Sequence, residues 1–183
     1  MDSQAVIEAT RRWIADIVIG LNLCPFARRV FEGDRIRYVV TEAADEGTLL
    51  RDLTSELKAL AATDETGPET TLLIHPRMLN DFLDYNDFLE AADQLVAVLD
   101  LDGVIQVASF HPDDHFAETQ PADVENYTNR SPYPMLHLLK EDSFTWVADY
   151  PGGLDAIPER NIETLRALGR DAILARLRKV MGE

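Results

Sequence analysis

Between Ile36 and Phe110 the chain alternates strand, helix, strand, helix, strand, and no other feature limits its fold as much. Ile36 to Thr41 is a short run of β-branched and aromatic residues. Leu49, Leu50, Leu53, Leu57 and Leu60 then recur at helical spacing and predict a helix from about 46 to 62. Thr71 to His75 is a second short apolar run, stopped by Pro76. Phe82, Leu89, Ala92, Val96 and Leu99 predict a helix from about 79 to 99, and Val104 to Phe110 a third strand, stopped by Pro112. Alternation of this kind favours an α/β fold with a small three-stranded parallel sheet, a βαβαβ core joined by right-handed crossovers. A split, partly antiparallel α+β sandwich is the alternative.

A sheet so thin needs covering. Ile7, Thr10, Ile14, Ile17, Val18 and Leu21 predict an N-terminal helix over 3–21, with Ser3 as its cap. A short helix follows from Pro25 towards Gly33. Ile162, Leu165, Leu168, Ile173, Leu177 and Val180 predict a last helix opened by Pro158. These terminal helices are expected to cover the sheet, so that residues 1–183 form one domain. Apolar residues are 46% of the chain, enough for a true core.

From His111 to Ser131 the periodicity lapses for roughly twenty residues, a length that in a compact domain usually marks function or disorder. Phe110, Phe116, Tyr127 and Tyr133 can anchor this loop, and Asn126-Tyr127-Thr128-Asn129-Arg130-Ser131-Pro132-Tyr133-Pro134 is dense in directed polar groups. Leu136, Leu138 and Leu139 after two prolines predict a helix to about Ala148, followed by a turn at Tyr150-Pro151-Gly152-Gly153. Asn129 and Ser131 would then be N-caps. Arg130 near the helix start would complement a carboxylate or phosphate, or else pair with one of the many acidic side chains. His137, a turn inside, would be an acid or base, or a satisfied core residue.

If the strands are parallel, their carboxyl ends share a rim, where ligands of open α/β sheets bind. Glu42, His75 and His111 end the first, second and third strands, so two imidazoles and a carboxylate would meet there. Each His-Pro pair can also be read as a strand terminator alone. Cys24, the only cysteine, has two readings. As the cap of a helix begun by Pro25 its thiol would be acidified; at the end of the first helix it would be a small buried hydrophobe. His111 and His115 are four residues apart, but Pro112 argues against a helix there, and no metal site is expected. No phosphate-binding glycine loop or known catalytic elbow occurs, and no cofactor is expected.

Charge excludes some partners. Lys and Arg number 17 against 33 Asp and Glu, a net of −16, a surface that repels nucleic acid and anionic membranes. No stretch approaches the roughly eighteen apolar residues of a membrane span. A single cysteine and an N-terminus without a basic, apolar leader read as cytoplasmic.

Gly20-Leu21-Asn22-Leu23-Cys24-Pro25-Phe26-Ala27, Phe110-His111-Pro112 and the Asn126 to Pro134 string with His137-Leu138-Leu139 resemble an uncharacterised bacterial family, catalogued as domain of unknown function 1415. The resemblance covers nearly the whole chain. It implies one full-length domain and no particular activity, cofactor or catalytic residue.

The expected function is an enzyme acting on a small anionic metabolite, by hydrolysis or group transfer, with its site at the 110–137 loop. Cys24, His111 and His137 are the candidate catalytic residues. His75, Asn126, Asn129, Arg130, Ser131 and Tyr133 are the candidate substrate-binding residues. The alternative is a ligand-binding or adaptor domain without catalysis. Oligomeric state is not legible.

Overall fold

The computed structural model describes residues 2–142 and 156–182. Helix α1, Ser3–Trp13, opens on Asp2, whose carboxylate, rather than Ser3, accepts the Gln4 amide at 3.1 Å. Val6, Ala9, Thr10 and Trp13 form its buried stripe. It runs on into a π-helical turn, Ile14–Ile19, and a short helix α2, Ala27–Glu32, follows. Then come β1 (Ile36–Val40), α3 (Glu46–Ala61), β2 (Thr70–Ile74), α4 (Phe82–Val98) and β3 (Ile105–Phe110). The Asp45 and Asp81 carboxylates cap α3 and α4, accepting Thr48 and Leu83 amides at 2.8 Å.

The segment after the long loop is a strand, β4 (Met135–Lys140), and not the helix its leucines predict. It lies between β2 and β3, giving the order β1-β2-β4-β3. The sheet therefore has four strands rather than three and is mixed rather than parallel: β1 pairs parallel with β2, while β4 is antiparallel to both its neighbours. The reason is burial on two sides. Met135, His137 and Leu139 face one layer of helices, while Leu136 and Leu138 face the other. A strand covered on both faces reads as a continuous apolar run, which periodicity does not separate from a helix. The turn expected at 150–153 and the far end of that expected helix lie outside the described residues.

Two cores flank the sheet. On one face Leu72, Ile74 and Met135 pack against Val6, Trp13, Ile17, Leu165, Ile173 and Val180 of the terminal helices. On the other, Leu73, Leu136 and Leu138 pack against Leu49, Leu53 and Leu57 of α3 and Tyr85, Phe88 and Ala92 of α4. The single C-terminal helix expected from the sequence is two, α5 (Ala156–Leu168) and α6 (Arg170–Met181), because Gly169 takes a φ of 82° and breaks the run. Among the described residues no helix is long and apolar enough to cross a membrane.

Inserting β4 leaves β1, β2 and β3 pointing the same way. The expected rim thus exists: Thr41, His75 and His111 leave the sheet along one edge, and β4 enters there.

Candidate functional site

The backbone at this rim is pinned from both sides. His75 N–H donates to Pro134 O at 3.0 Å, and His111 N–H to Asn129 O at 3.3 Å. Ser131 N–H returns a bond to His111 O at 3.4 Å, so the loop runs beside the strand ends before becoming β4. Tyr85, fully buried on α4, donates its hydroxyl to Met135 O at 2.8 Å and accepts the Phe110 N–H at 3.1 Å. The His75 ring stacks on its ring at a centroid distance of 5.7 Å, and the His111 ring tilts against it at 5.0 Å. Two imidazoles therefore flank one phenol.

Their hydrogen bonds fix the tautomers. A carbonyl only accepts, so His75 Nδ1–H donates to Met78 O at 3.2 Å, and its buried Nε2 has no partner among the described residues. Burial pushes this imidazole down to about 4, so it is neutral at pH 7. The Asp113 N–H donates to His111 Nδ1 at 3.0 Å, so Nε2–H of His111 donates to Leu79 O at 3.1 Å. Burial lowers His111 as well. Both nitrogens of His111 are thus engaged by backbone, as befits a clamp on the loop.

The loop is built around two side chains. Asn126 is fully buried: its Oδ1 accepts the Phe116 N–H at 3.1 Å and the Thr119 hydroxyl at 2.7 Å, and its Nδ2 donates to Gln120 O at 2.8 Å. Arg130 is only 9% exposed. Its Nε donates to Asp114 O at 2.9 Å and an Nη to Pro121 O at 2.8 Å, and its guanidinium lies 4.5 Å from the Tyr127 ring centre. No carboxylate among the described residues lies within 4.0 Å of it. Its open edge forms part of a recess of about 370 Å³, shared with Asp81 and Phe82 at the start of α4, Asp113, His115 and Pro121. No helix follows Arg130, so its companion amides are not those the sequence suggested; the helix that does start at the recess is α4. Asn129 and Ser131 accordingly cap no helix N-terminus; Asn129 instead ends the short 3-10 turn Val124–Thr128. Asn129 bonds the Asp114 carboxylate, and the Ser131 hydroxyl donates to Tyr133 O at 2.7 Å. Tyr133 packs half-buried against the core of the terminal helices.

Asp114 lies just behind the recess. Burial pushes its carboxyl up to about 6, although Arg130, His115 and the Asn129 amide pull it down.

Cys24 and His137 belong elsewhere. They line an apolar cavity of about 220 Å³ beneath the π-helical turn, with Trp13, Ile14, Leu72 and Phe110. It shares no lining residue with the Arg130 recess. Trp13 stands between them: it lines the cavity, and its indole N–H donates to Arg130 O at 3.0 Å. The Phe26 and Ala27 amides pull the Cys24 thiol down, but burial outweighs them and raises it. Elements of both sequence readings are present, and the hydrophobic one dominates. His137, on strand β4, meets the Thr70 hydroxyl at 2.7 Å, and burial pushes it down to about 4.

The structure thus brings together His75 with His111, Arg130 with the loop asparagines, and Cys24 with His137, but not all of them at one hollow. Among the described residues no three His, Cys, Asp or Glu side chains are grouped to hold a metal ion. Sequence reasoning missed Asp114, Tyr85 and Trp13. Asp81 alone carried a signal, as an acidic residue just ahead of a helical run.

The fold and this rim define an α/β domain with a mixed four-stranded sheet and a buried cation at its loop-bearing edge. The chain belongs to the protein family of unknown function DUF1415, whose family model matches residues 5–175. No curated protein and no solved structure matches it.

Proposed function

We propose that the chain binds a small anionic molecule, a carboxylate or phosphate, in the recess at Arg130. One observation carries this reading: a guanidinium nine-tenths buried, positioned by two carbonyls and a ring, whose charge meets no carboxylate within 4.0 Å among the described residues. Burying a cation is costly unless it is paired, and a structure that keeps one poised at a recess has a partner to gain. The fork geometry suits a planar carboxylate. Asp81 and Asp113 on the same walls disfavour multiply charged anions, so a monoanion, or a zwitterion whose ammonium meets those carboxylates, fits best.

A catalytic version, hydrolysis or group transfer on the bound anion, is favoured by Asp114, since a carboxyl pushed up to about 6 beside a binding cation is suited to proton transfer. Binding without catalysis needs only the cradle.

The test is thermal stability in acetate, glycine and phosphate against chloride at equal ionic strength. A bound anion raises the melting temperature. The Arg130→Lys variant, which keeps the charge but not the fork, should lose the shift. Asp113→Asn, which removes a repulsive charge, should enlarge it for acetate. An undiminished shift in Arg130→Lys, or no gain in Asp113→Asn, refutes the assignment.

A further inference from the structure

The cavity holding Cys24 and His137 is independent of the Arg130 recess, and its chemistry is different. It is a half-open apolar pocket of about 220 Å³. An apolar cavity of about 150 Å³ takes up benzene and stays free of water. The walls here are Trp13, Ile14, Val18, Leu72 and Phe110. The charged residues on its lining, Arg29 and Glu69, are paired with one another.

One wall atom is polar and directional. The Thr70 hydroxyl donates to Leu138 O at 2.6 Å, so its oxygen accepts from His137, and the proton of that imidazole sits on Nε2. Nδ1 is therefore a bare acceptor. Among the described residues it has no hydrogen-bond partner, and packing does not seal it away. The Cys24 thiol, neutral at pH 7 because burial raises it, is a weak second polar group on the same lining.

From the cavity's size, its apolar walls and the lone pair of His137 Nδ1, we infer that it is a binding site for a small neutral molecule with an aromatic or aliphatic body and one hydrogen-bond donor. The body fills the space beneath the π-helical turn, and the donor engages Nδ1. Cys24, the only cysteine, lines the site and reports on its occupancy.

The experiment compares phenol with toluene on the full-length protein, two probes of nearly equal size that differ in the donor. Binding is followed by calorimetry and by the rate at which N-ethylmaleimide alkylates Cys24. Phenol should bind about fivefold more tightly than toluene, the worth of one hydrogen bond to a neutral acceptor, and should slow alkylation by roughly tenfold at about nine times its Kd. Ala108→Phe, which fills the cavity from β3, should abolish binding of both. His137→Leu should reverse the order, because toluene is the more hydrophobic. Should His137→Leu not fold, the order of the two probes on the native protein and the Ala108→Phe result still decide. Failure of both probes to bind, or tighter binding of toluene to the native protein, would each overturn the inference. None of these outcomes bears on the anion site, whose test uses different probes and variants.

Discussion

Acidification from pH 7 to pH 5 should destabilise this protein by about 3 kcal/mol, and the source is two desolvated histidines, one buried and one half-buried. His75 and His137 are each pushed down to about 4 in the fold, against roughly 6.5 in an unfolded chain. A base whose folded value is depressed binds fewer protons folded than unfolded between the two values. Stability therefore falls as pH drops through 6.5 and keeps falling until about 4. At pH 5 each histidine accounts for about 2 kcal/mol of that loss, the free energy of keeping it neutral when the unfolded chain would protonate it. Asp114 opposes them. Its folded value, raised to about 6, makes the folded state bind the extra proton, returning about 1 kcal/mol over the same interval. His111, also lowered, adds to the loss. Carboxylates held low by their partners, such as Glu69, act only below this window. The assay is urea unfolding at pH 7, 6 and 5 with the m-value checked for constancy. His137→Gln should remove about 2 kcal/mol of the pH dependence, whatever it does to stability at pH 7. Stability that is flat or rising from pH 7 to pH 5 would refute the placement of neutral, desolvated imidazoles on this sheet.

Two further outcomes are expected. Tyr85→Phe removes the hydroxyl that joins Met135 O to Phe110 N–H at a fully buried position; stranding those groups should cost about 2–4 kcal/mol in urea unfolding, and a loss under about half a kcal/mol would show that the bridge is dispensable. Because burial raises the Cys24 thiol, iodoacetamide should modify it more slowly at pH 7 than it modifies a free cysteine, with a rate that climbs well above pH 8; a rate matching or exceeding the free thiol's would show that the Phe26 and Ala27 amides prevail.

Much of the architecture was legible in the chain. The stripes of α1, α3 and α4 repeat at helical spacing because each of these helices buries one face only. The prolines after His75 and His111 do mark strand ends, and those ends do share a rim. What failed was β4. Its residues are apolar on both faces because helices cover both faces, and the alternation that identifies a strand was absent for that reason. The error carried over into the site: without a helix after Arg130, the dipole and caps assigned to Asn129, Ser131 and Arg130 have no basis there, and His137 moves from the loop to the opposite side of Trp13.

Local chemistry is set by neighbours in sequence, so the sequence by itself determined the helices with one apolar face, the strand ends, the acidic surface and the loop worth attention. Which side chains share a hollow depends on contacts between distant segments, and these follow from strand order. Only the tertiary structure decided that β4 enters between β2 and β3, that Arg130 is buried at a recess beside α4, and that Cys24 and His137 open into a separate cavity. Sheet pairing is a long-range choice made by burial on two faces at once, and no local pattern of residues encodes it.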